Sequence, residues 1–229
     1  MPASDREARQ YEVALFDFGG VFVDSPFPAL RETCRGMGLD GERLIELTFG
    51  PFDRDSDHPW HRIERGETAM LDARLEILEL IAAAGLDVDP FVLLAKSLLP
   101  QKQGHPVVLE AVRHLRSVGV KVGLVTNNAI EIRERWRSLL PLDELFDDVV
   151  DSSEVGLRKP DPAIYRLALE RLGGIPAEAA IFLDDLQQNL DAAESVGMRG
   201  ILVEPDPAPA MRELRRLVAG ELGPQSGGA

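Results

Sequence analysis

The sequence predicts an α/β fold with a parallel sheet of about five strands and a helical domain inserted after the first strand. Two patterns support this prediction. After residue 104, short apolar segments alternate with helical segments, which is typical of parallel strands joined by right-handed crossovers. Residues 24–104, in contrast, contain helical periodicity and no strand-like segment. We therefore predict a core domain made of residues 1–23 and 105–229 and an inserted helical domain made of residues 24–104.

The first strand is predicted over residues 13–16, within the stretch YEVALFDFGGVFV. This apolar run ends directly at Asp17, which is followed by Gly19 and Gly20. A buried parallel strand brings such a carboxylate to the carboxyl edge of the sheet, where open α/β folds place their chemistry. Asp17 is therefore the first candidate for a functional residue.

Four helices are predicted in the inserted domain, over residues 29–37, 41–47, 68–84 and 90–98, after a turn at 24–28. The stretch between the second and third helices, GPFDRDSDHPWHRIERG, is predicted to be irregular. In the third helix, an apolar face is predicted from the helical spacing of Leu71, Leu75, Leu78 and Ile81.

The rest of the core is predicted to contain strands at 121–125, 148–151, 180–183 and 200–203, with helices between them, the first of these at 129–140. Two of these strands run into polar residues, Thr126 and the pair Asp184-Asp185. Since the carboxyl ends of parallel strands meet at one edge, these side chains should lie near Asp17, within reach of Lys159. Grouped carboxylates suit Mg²⁺, and a lysine beside a hydroxyl suits the oxygens of a phosphoryl group.

The charge and cysteine content narrow the classes of partner. The chain has 229 residues, with 39 acidic against 25 basic residues. This balance argues against nucleic acid or an anionic membrane as a partner, but it allows a small phosphorylated substrate. A single cysteine permits no intrachain disulfide, and the N-terminus lacks an apolar signal segment. We therefore expect a cytoplasmic protein, either a monomer or a homodimer.

Four segments of the core form a recognisable set: DFGGV at 17–21, VTNN at 125–128, LRKPDPAIY at 157–165 and FLDDLQQN at 182–189. In this order and in these strand contexts they resemble the haloacid dehalogenase (HAD) superfamily, whose core is Rossmann-like. Residues 151–203 are most similar to the N-terminal phosphatase domain of soluble epoxide hydrolase and its bacterial relatives. The resemblance implies a Mg²⁺-dependent phosphatase for a small phosphorylated metabolite. It also implies that the inserted domain is a cap that closes over the site and selects the substrate.

By this resemblance, Asp17 is the nucleophile that forms an aspartyl-phosphate. Thr126 would bind the phosphoryl oxygens, and Lys159 would neutralise the phosphate charge and hold Asp17. Asn127 and Asn189 would be the substrate-binding residues. Asn127 would assist Thr126, and Asn189 would orient the acidic loop.

The resemblance also implies a set of metal ligands. Asp17 and Asp185 would bind Mg²⁺ directly, and Asp184 would lie beside them or behind them. The backbone carbonyl of Gly19 would supply the remaining protein ligand.

One position departs from the family pattern. Phosphatases of this family usually carry a second aspartate two residues after the nucleophile, as general acid and base, and this chain has Gly19 there. Such help is typically worth about 10² to 10⁴ in rate. The protein is then a slow phosphatase, or another group such as Asp24, His58 or His61 replaces the aspartate, or the leaving group needs no acid. The last case predicts a preference for activated esters, namely anomeric sugar phosphates, acyl phosphates or aryl phosphates.

Two other functions remain open at this point. A haloacid dehalogenase would use the same aspartate to attack carbon, but that chemistry needs no metal, and the Asp184-Asp185 pair argues against it. The second is a weakly active or non-catalytic binding protein, because Gly19 replaces the residue that acts as general acid and base.

Overall fold

The computed structural model describes residues 10–98 and 104–220. Within them, one sheet contains five strands: β1 (Val13–Phe16), β2 (Lys121–Thr126), β3 (Asp148–Asp151), β4 (Ala180–Asp184) and β5 (Arg199–Leu202). Their order is β3-β2-β1-β4-β5, and every neighbouring pair is parallel. The predicted α/β class and parallel sheet are therefore confirmed.

Within the described part of the chain, six helices lie between β1 and β2, and the first five are α1 (Pro26–Gly36), α2 (Gly41–Phe49), α3 (Pro59–Glu64), α4 (Met70–Ala83) and α5 (Pro90–Leu98). These five share an apolar cluster of their own, which includes Leu30, Leu44 and Ile77. We call them the inserted helices. The domain boundaries at residues 23 and 104 stay a prediction.

Seven helices follow in the core: α6 (Pro106–Ser117), α7 (Arg133–Arg137), α8 (Leu142–Leu145), α9 (Ser152–Val155), α10 (Pro162–Arg171), α11 (Gln187–Ser195) and α12 (Ala208–Val218). Residues of α6 and α12 pack in one large apolar cluster and those of α10 and α11 in another. Ala14 and Phe16 belong to the first cluster, and Val13 and Leu15 belong to the second. This alternation explains why β1 is apolar at every position, because each face of a parallel sheet is covered.

Three local predictions were wrong. The stretch predicted to be irregular contains α3, which begins at Pro59 after His58, whose Nδ1 accepts a hydrogen bond from the Trp60 amide. Helix α1 begins at Pro26, within the predicted turn, because proline suits the first position of a helix. The helix predicted at 129–140 is a 3-10 turn, Ile130–Ile132, followed by the short α7.

The predicted apolar face of α4 was wrong at Leu71 and Leu75 and is confirmed at Ile81. Leu71 and Leu75 are 66% and 55% exposed, whereas Ala73, Ile77 and Ile81 are buried. The helix carries two apolar stripes, and the neighbouring helices α2 and α3 cover the one that contains Ile77. The spacing within one helix does not show which stripe its neighbours cover.

Every helix in the described ranges is too short or too polar to cross a bilayer.

Candidate active site

The carboxyl ends of β1 and β4 bring Asp17 and Asp184 to either side of a buried lysine. The Lys159 Nζ lies 2.7 Å from Asp17 Oδ1 and 2.7 Å from Asp184 Oδ2. Burial opposes the charge of Lys159, but these two carboxylates outweigh it and raise its pKa. Lys159 is therefore a fixed ammonium that holds both carboxylates in place.

A third carboxylate completes an acidic cluster. Oxygens of Asp17, Asp184 and Asp185 all lie within 4.8 Å of one another. Burial is the main cause that raises the pKa of Asp17 to about 7, with a further contribution from the Asp184 charge and opposition from Lys159. Burial and the charges of Asp184 and Asp17 raise the pKa of Asp185 to about 8. One ammonium among three carboxylates leaves an excess of negative charge, which is a donor set that suits a divalent cation with oxygen ligands.

The two glycines after Asp17 differ in their surroundings. Gly20 has a φ of +72°, and a Cβ there would collide with the Asp185 carboxylate. The close approach of Asp185 to the backbone therefore requires glycine at this position. Gly19 lines the cavity described below, and a Cβ built on it meets no heavy atom within 4 Å. The position that lacks the family's usual aspartate thus has room for one.

The residues after β2 are held in two ways. Thr126 Oγ1 accepts a hydrogen bond from Asn128 Nδ2 at 3.3 Å. The Asn127 side chain pairs with the backbone of Lys159, since its Oδ1 accepts from the Lys159 N–H at 2.8 Å and its Nδ2 donates to the Lys159 carbonyl at 3.0 Å. The side-chain amide of Asn127, predicted to bind substrate, is therefore engaged with the Lys159 backbone.

Asn189 holds Asp184 in a similar way. Its Nδ2 lies 3.1 Å from Asp184 Oδ1 and 3.0 Å from Asp184 Oδ2. The Asn189 carbonyl accepts a hydrogen bond from the Tyr165 hydroxyl at 2.8 Å. Asn189 thus contacts both the acidic loop and α10, and its orienting role stays a prediction.

A cavity of about 260 Å³ opens onto these groups. Its wall includes Asp17, Thr126, Lys159 and Asp185. It also includes six aromatic side chains: Phe18, Phe27, Phe49, Phe52, Trp60 and Trp136. The chemical groups thus face a mostly apolar space with six aromatic rings in its wall, to which both the core and the inserted helices contribute.

A buried ion pair, which no sequence pattern indicated, joins the inserted helices to the site. Arg158 Nε donates to Glu64 Oε2 at 2.7 Å, and the two side chains are 5% and 12% exposed. Arg158 Nη1 also lies 3.4 Å from Asp55 Oδ1. The partners of the main pair are 94 residues apart in the sequence, so no local pattern relates them.

Of the side chains predicted as replacements for the missing aspartate, Asp24 alone lines the cavity. Its side chain is 74% exposed, and its Oδ1 lies 3.4 Å from His105 Nε2. His61 Nδ1 lies 2.9 Å from the Ser56 hydroxyl, and burial is the main cause that lowers the pKa of His61 to about 3. Burial also lowers the pKa of His58, and neither histidine lines the cavity.

Comparison with known proteins agrees with this geometry. Residues 11–197 match the family model of haloacid dehalogenase-like hydrolases. The mouse acyl-CoA dehydrogenase family member 10 is 35% identical over 92% of this chain, and rat bifunctional epoxide hydrolase 2 is 37% identical over 90%. The chain spans only 19% and 38% of the lengths of these two relatives. Other curated relatives, 28% to 38% identical, are named phosphatases.

Solved structures show the same fold. The HAD family enzyme bt-2542 from Bacteroides thetaiotaomicron, in complex with magnesium and inorganic phosphate, superposes with a TM-score of 0.59 at 20% identity. The match covers 86% of this chain and 96% of that one. Dehalogenases are among the other structural neighbours. The family match over most of the chain, together with the lysine-bridged aspartates at the sheet edge, shows that the chain belongs to the haloacid dehalogenase-like hydrolases.

Proposed function

We propose that the protein is a Mg²⁺-dependent phosphatase that acts on a small phosphorylated metabolite through an aspartyl-phosphate at Asp17. The observation that carries this proposal is the cluster of three carboxylates around the single ammonium of Lys159. A dehalogenase needs the nucleophile but no metal, so the excess negative charge favours phosphoryl transfer. The phosphatases among the relatives, and the neighbour that contains magnesium and phosphate, support the same choice.

The metal would be held by Asp17, Asp185 and the backbone carbonyl of Gly19. Asp184 is less suited to direct contact, because its two oxygens already accept from Lys159, Asn189 and the Leu186 amide. Asp184 would therefore position Lys159 behind the metal. When bound, Mg²⁺ would offset the negative charges of the carboxylates and of the substrate phosphate.

The side chains have separate tasks in the proposed reaction. An oxygen of Asp17 attacks phosphorus and forms a bond to it, while the bond from phosphorus to the leaving oxygen breaks. Lys159 holds the Asp17 carboxylate in position and offsets the charge of the phosphoryl oxygens. Thr126 Oγ1 accepts from Asn128, so its own proton is available to a phosphoryl oxygen. Water then attacks phosphorus, which releases inorganic phosphate and restores Asp17.

The test is a panel of phosphate esters with Mg²⁺, in which the wild type is compared with Asp17→Asn. The exposed Asp143→Asn, on α8, is the matched control. We expect Asp17→Asn to lose at least 10³-fold in turnover, within the range for loss of a nucleophile, while the control keeps its activity. EDTA should abolish the wild-type activity.

Two outcomes would contradict the proposal. Halide release from 2-haloacids that persists in EDTA would identify a dehalogenase. Equal activity of the wild type and Asp17→Asn across the whole panel would show that the fold serves as a binding module.

A further inference from the structure

We infer that the substrate is a phosphate monoester of a phenol, whose ring lies in the aromatic part of the cavity. This inference rests on the proposed phosphatase function and specifies its leaving group. Two independent features lead to it. One is the composition of the cavity wall, and the other is the missing side chain at Gly19.

The inserted helices and the loops next to them supply a continuous aromatic surface made of Phe27, Phe49, Phe52 and Trp60, which we call the aromatic wall. Ring centroids lie 5.1 Å apart for Phe27–Phe49, 5.4 Å for Phe27–Phe52 and 4.6 Å for Phe49–Trp60. Phe27, Phe52 and Trp60 are only half-buried and line the cavity, so they keep accessible surface beside it. Such a wall favours a flat apolar group, because aromatic pairs stack edge-to-face or offset.

The core supplies a second aromatic contact to the same cavity, between Phe18 and Trp136, with ring centroids 5.2 Å apart. Phe18 directly follows the nucleophile Asp17 in the sequence. Aromatic surface therefore extends along the chain to the residue next to the reacting carboxylate. A ring bonded directly to the phosphate oxygen would find apolar contacts there.

Apart from the exposed Arg135 and the groups proposed to bind the metal and the phosphate, the polar side chains of the cavity wall already have partners. They therefore offer little to a hydroxylated leaving group. Glu64 accepts from Arg158 Nε and from Trp60 Nε1. The following polar side chains also have partners within the protein: Asp24, Ser25, Asn127, Asn128 and Asn189. A sugar would bury hydroxyls against the aromatic wall, which costs free energy when they lack partners. An acyl phosphate of a small acid would leave the aromatic wall uncovered.

The size of the cavity fits a ring together with a phosphoryl group. A cavity of about 150 Å³ is enough to bind benzene. The cavity here has a volume of about 260 Å³. It therefore has room for one ring, or two fused rings, beside the phosphate.

The chemistry at Gly19 points to the same class of substrate. Without an acid, the leaving oxygen departs with the electron pair of its bond to phosphorus. A phenol has a pKa of about 10, as in tyrosine, whereas an aliphatic alcohol is a far weaker acid, close to water, so its alkoxide is a much poorer leaving group. The phenolate therefore leaves unprotonated and takes its proton from water afterwards. The aryl ester therefore needs no acid at position 19 for the departure of its leaving group, whereas an alkyl ester does.

The experiment separates the contribution of the ring to kcat/KM from the contribution of the leaving group. Phenyl phosphate has a ring and an activated leaving group, benzyl phosphate has a ring and an alkyl leaving group, and acetyl phosphate and glucose 1-phosphate are activated without a ring. Glycerol phosphate has neither property. We expect kcat/KM for phenyl phosphate to exceed that of each other ester by at least about 10²-fold, in line with the usual contribution of acid catalysis.

Two variants test the aromatic wall. Phe52→Leu keeps an apolar side chain but removes the ring, and Phe91→Leu does the same for an aromatic residue that contacts Trp60 outside the cavity lining. We expect Phe52→Leu to raise KM for phenyl phosphate about fivefold to tenfold, from the loss of one aromatic contact, and to leave acetyl phosphate unchanged. Phe91→Leu should change neither substrate.

Binding is measured separately from turnover. Both tryptophans of the chain line the cavity, so their fluorescence reports on its occupation. We expect Asp17→Asn with Mg²⁺ to bind phenylphosphonate at least tenfold more tightly than methylphosphonate. Equal affinities for the two phosphonates would overturn the inference.

The outcomes for the inference and for the proposed function are distinct. Asp17-dependent hydrolysis of acetyl phosphate or glucose 1-phosphate as fast as that of phenyl phosphate would overturn the inference and keep the phosphatase. Absence of Asp17-dependent turnover for every ester would overturn both.

Discussion

Replacing Gly19 by aspartate should add the general acid that this site lacks. The structure has room for the new side chain, because no heavy atom lies within 4 Å of a Cβ built at this position. The three nearby carboxylates should raise the pKa of the new carboxyl, since like charges oppose its ionisation, and so keep part of it protonated. General acid help of about 10² to 10⁴ corresponds to about 2.7 to 5.4 kcal/mol in the barrier.

The full gain is not expected, because a fourth carboxylate also raises the pKa values of Asp17 and Asp185. We therefore predict that Gly19→Asp raises kcat/KM for benzyl phosphate about 10-fold to 100-fold and changes kcat/KM for phenyl phosphate less than about threefold, since kcat/KM reports formation of the aspartyl-phosphate and not its hydrolysis. The assay is the initial rate of inorganic phosphate release at saturating Mg²⁺ between pH 6 and 8.

Gly19→Asn is the matched control, because it has nearly the same shape and no ionisable proton. An equal gain for both variants, or an equal gain for benzyl and phenyl phosphate, would refute the argument that position 19 lacks only an acid. No gain for benzyl phosphate with a correctly folded Gly19→Asp would refute it as well.

Three further predictions concern stability and proton transfer. The folded-state pKa of Asp185 is raised from 3.8 to about 8, so its contribution to stability is complete below about pH 4 and is lost as the pH rises through about 8. Asp185→Asn should therefore have a higher Tm than the wild type at pH 8.5 in EDTA, and the difference should be smaller at pH 5. Added Mg²⁺ should raise the Tm of the wild type more than that of Asp185→Asn. A lower Tm of Asp185→Asn than of the wild type at pH 8.5 would contradict this prediction. Glu64→Gln should lower the free energy of unfolding, measured in urea, by about 2 kcal/mol, because Arg158 loses one charged partner and keeps Asp55. A loss of less than about 0.5 kcal/mol would show that the ion pair contributes little to stability. Asp24→Asn should change kcat for phenyl phosphate less than about twofold, and a tenfold loss would identify Asp24 as the replacement base.

The hydrogen bonds of Asn127 and Asn189 affect how substitutions at these two positions should be interpreted. Asn127 is bonded to both backbone groups of Lys159, and Asn189 is bonded to both oxygens of Asp184. Loss of either amide would move a charged group of the site. A change in kcat in such variants would therefore report on the lysine or the acidic loop as much as on a contact with substrate.

The core and its site could be predicted from sequence because their signals are local. Strands β1, β2 and β4 each contain an apolar run, and the polar residues Asp17, Thr126 and Asp184 directly follow or end these runs. Parallel strands place these ends at one edge, whatever the details of packing. Lys159 was recognised from its place in a motif, and the structure brings its Nζ to both Asp17 and Asp184.

The tertiary structure alone decided what surrounds this chemistry. The sequence determined the α/β core and the order of the acidic, hydroxyl and lysine groups, because those follow from periodicity and strand polarity. It did not show the pairing of Glu64 with Arg158, the burial of Ile77 instead of Leu75, or the meeting of Phe27, Phe52 and Trp60 at the cavity. Some of these contacts join segments that are distant in the sequence. Others depend on which of two apolar stripes the neighbouring helices cover. They depend on which surfaces the whole chain covers, and no local pattern records that choice.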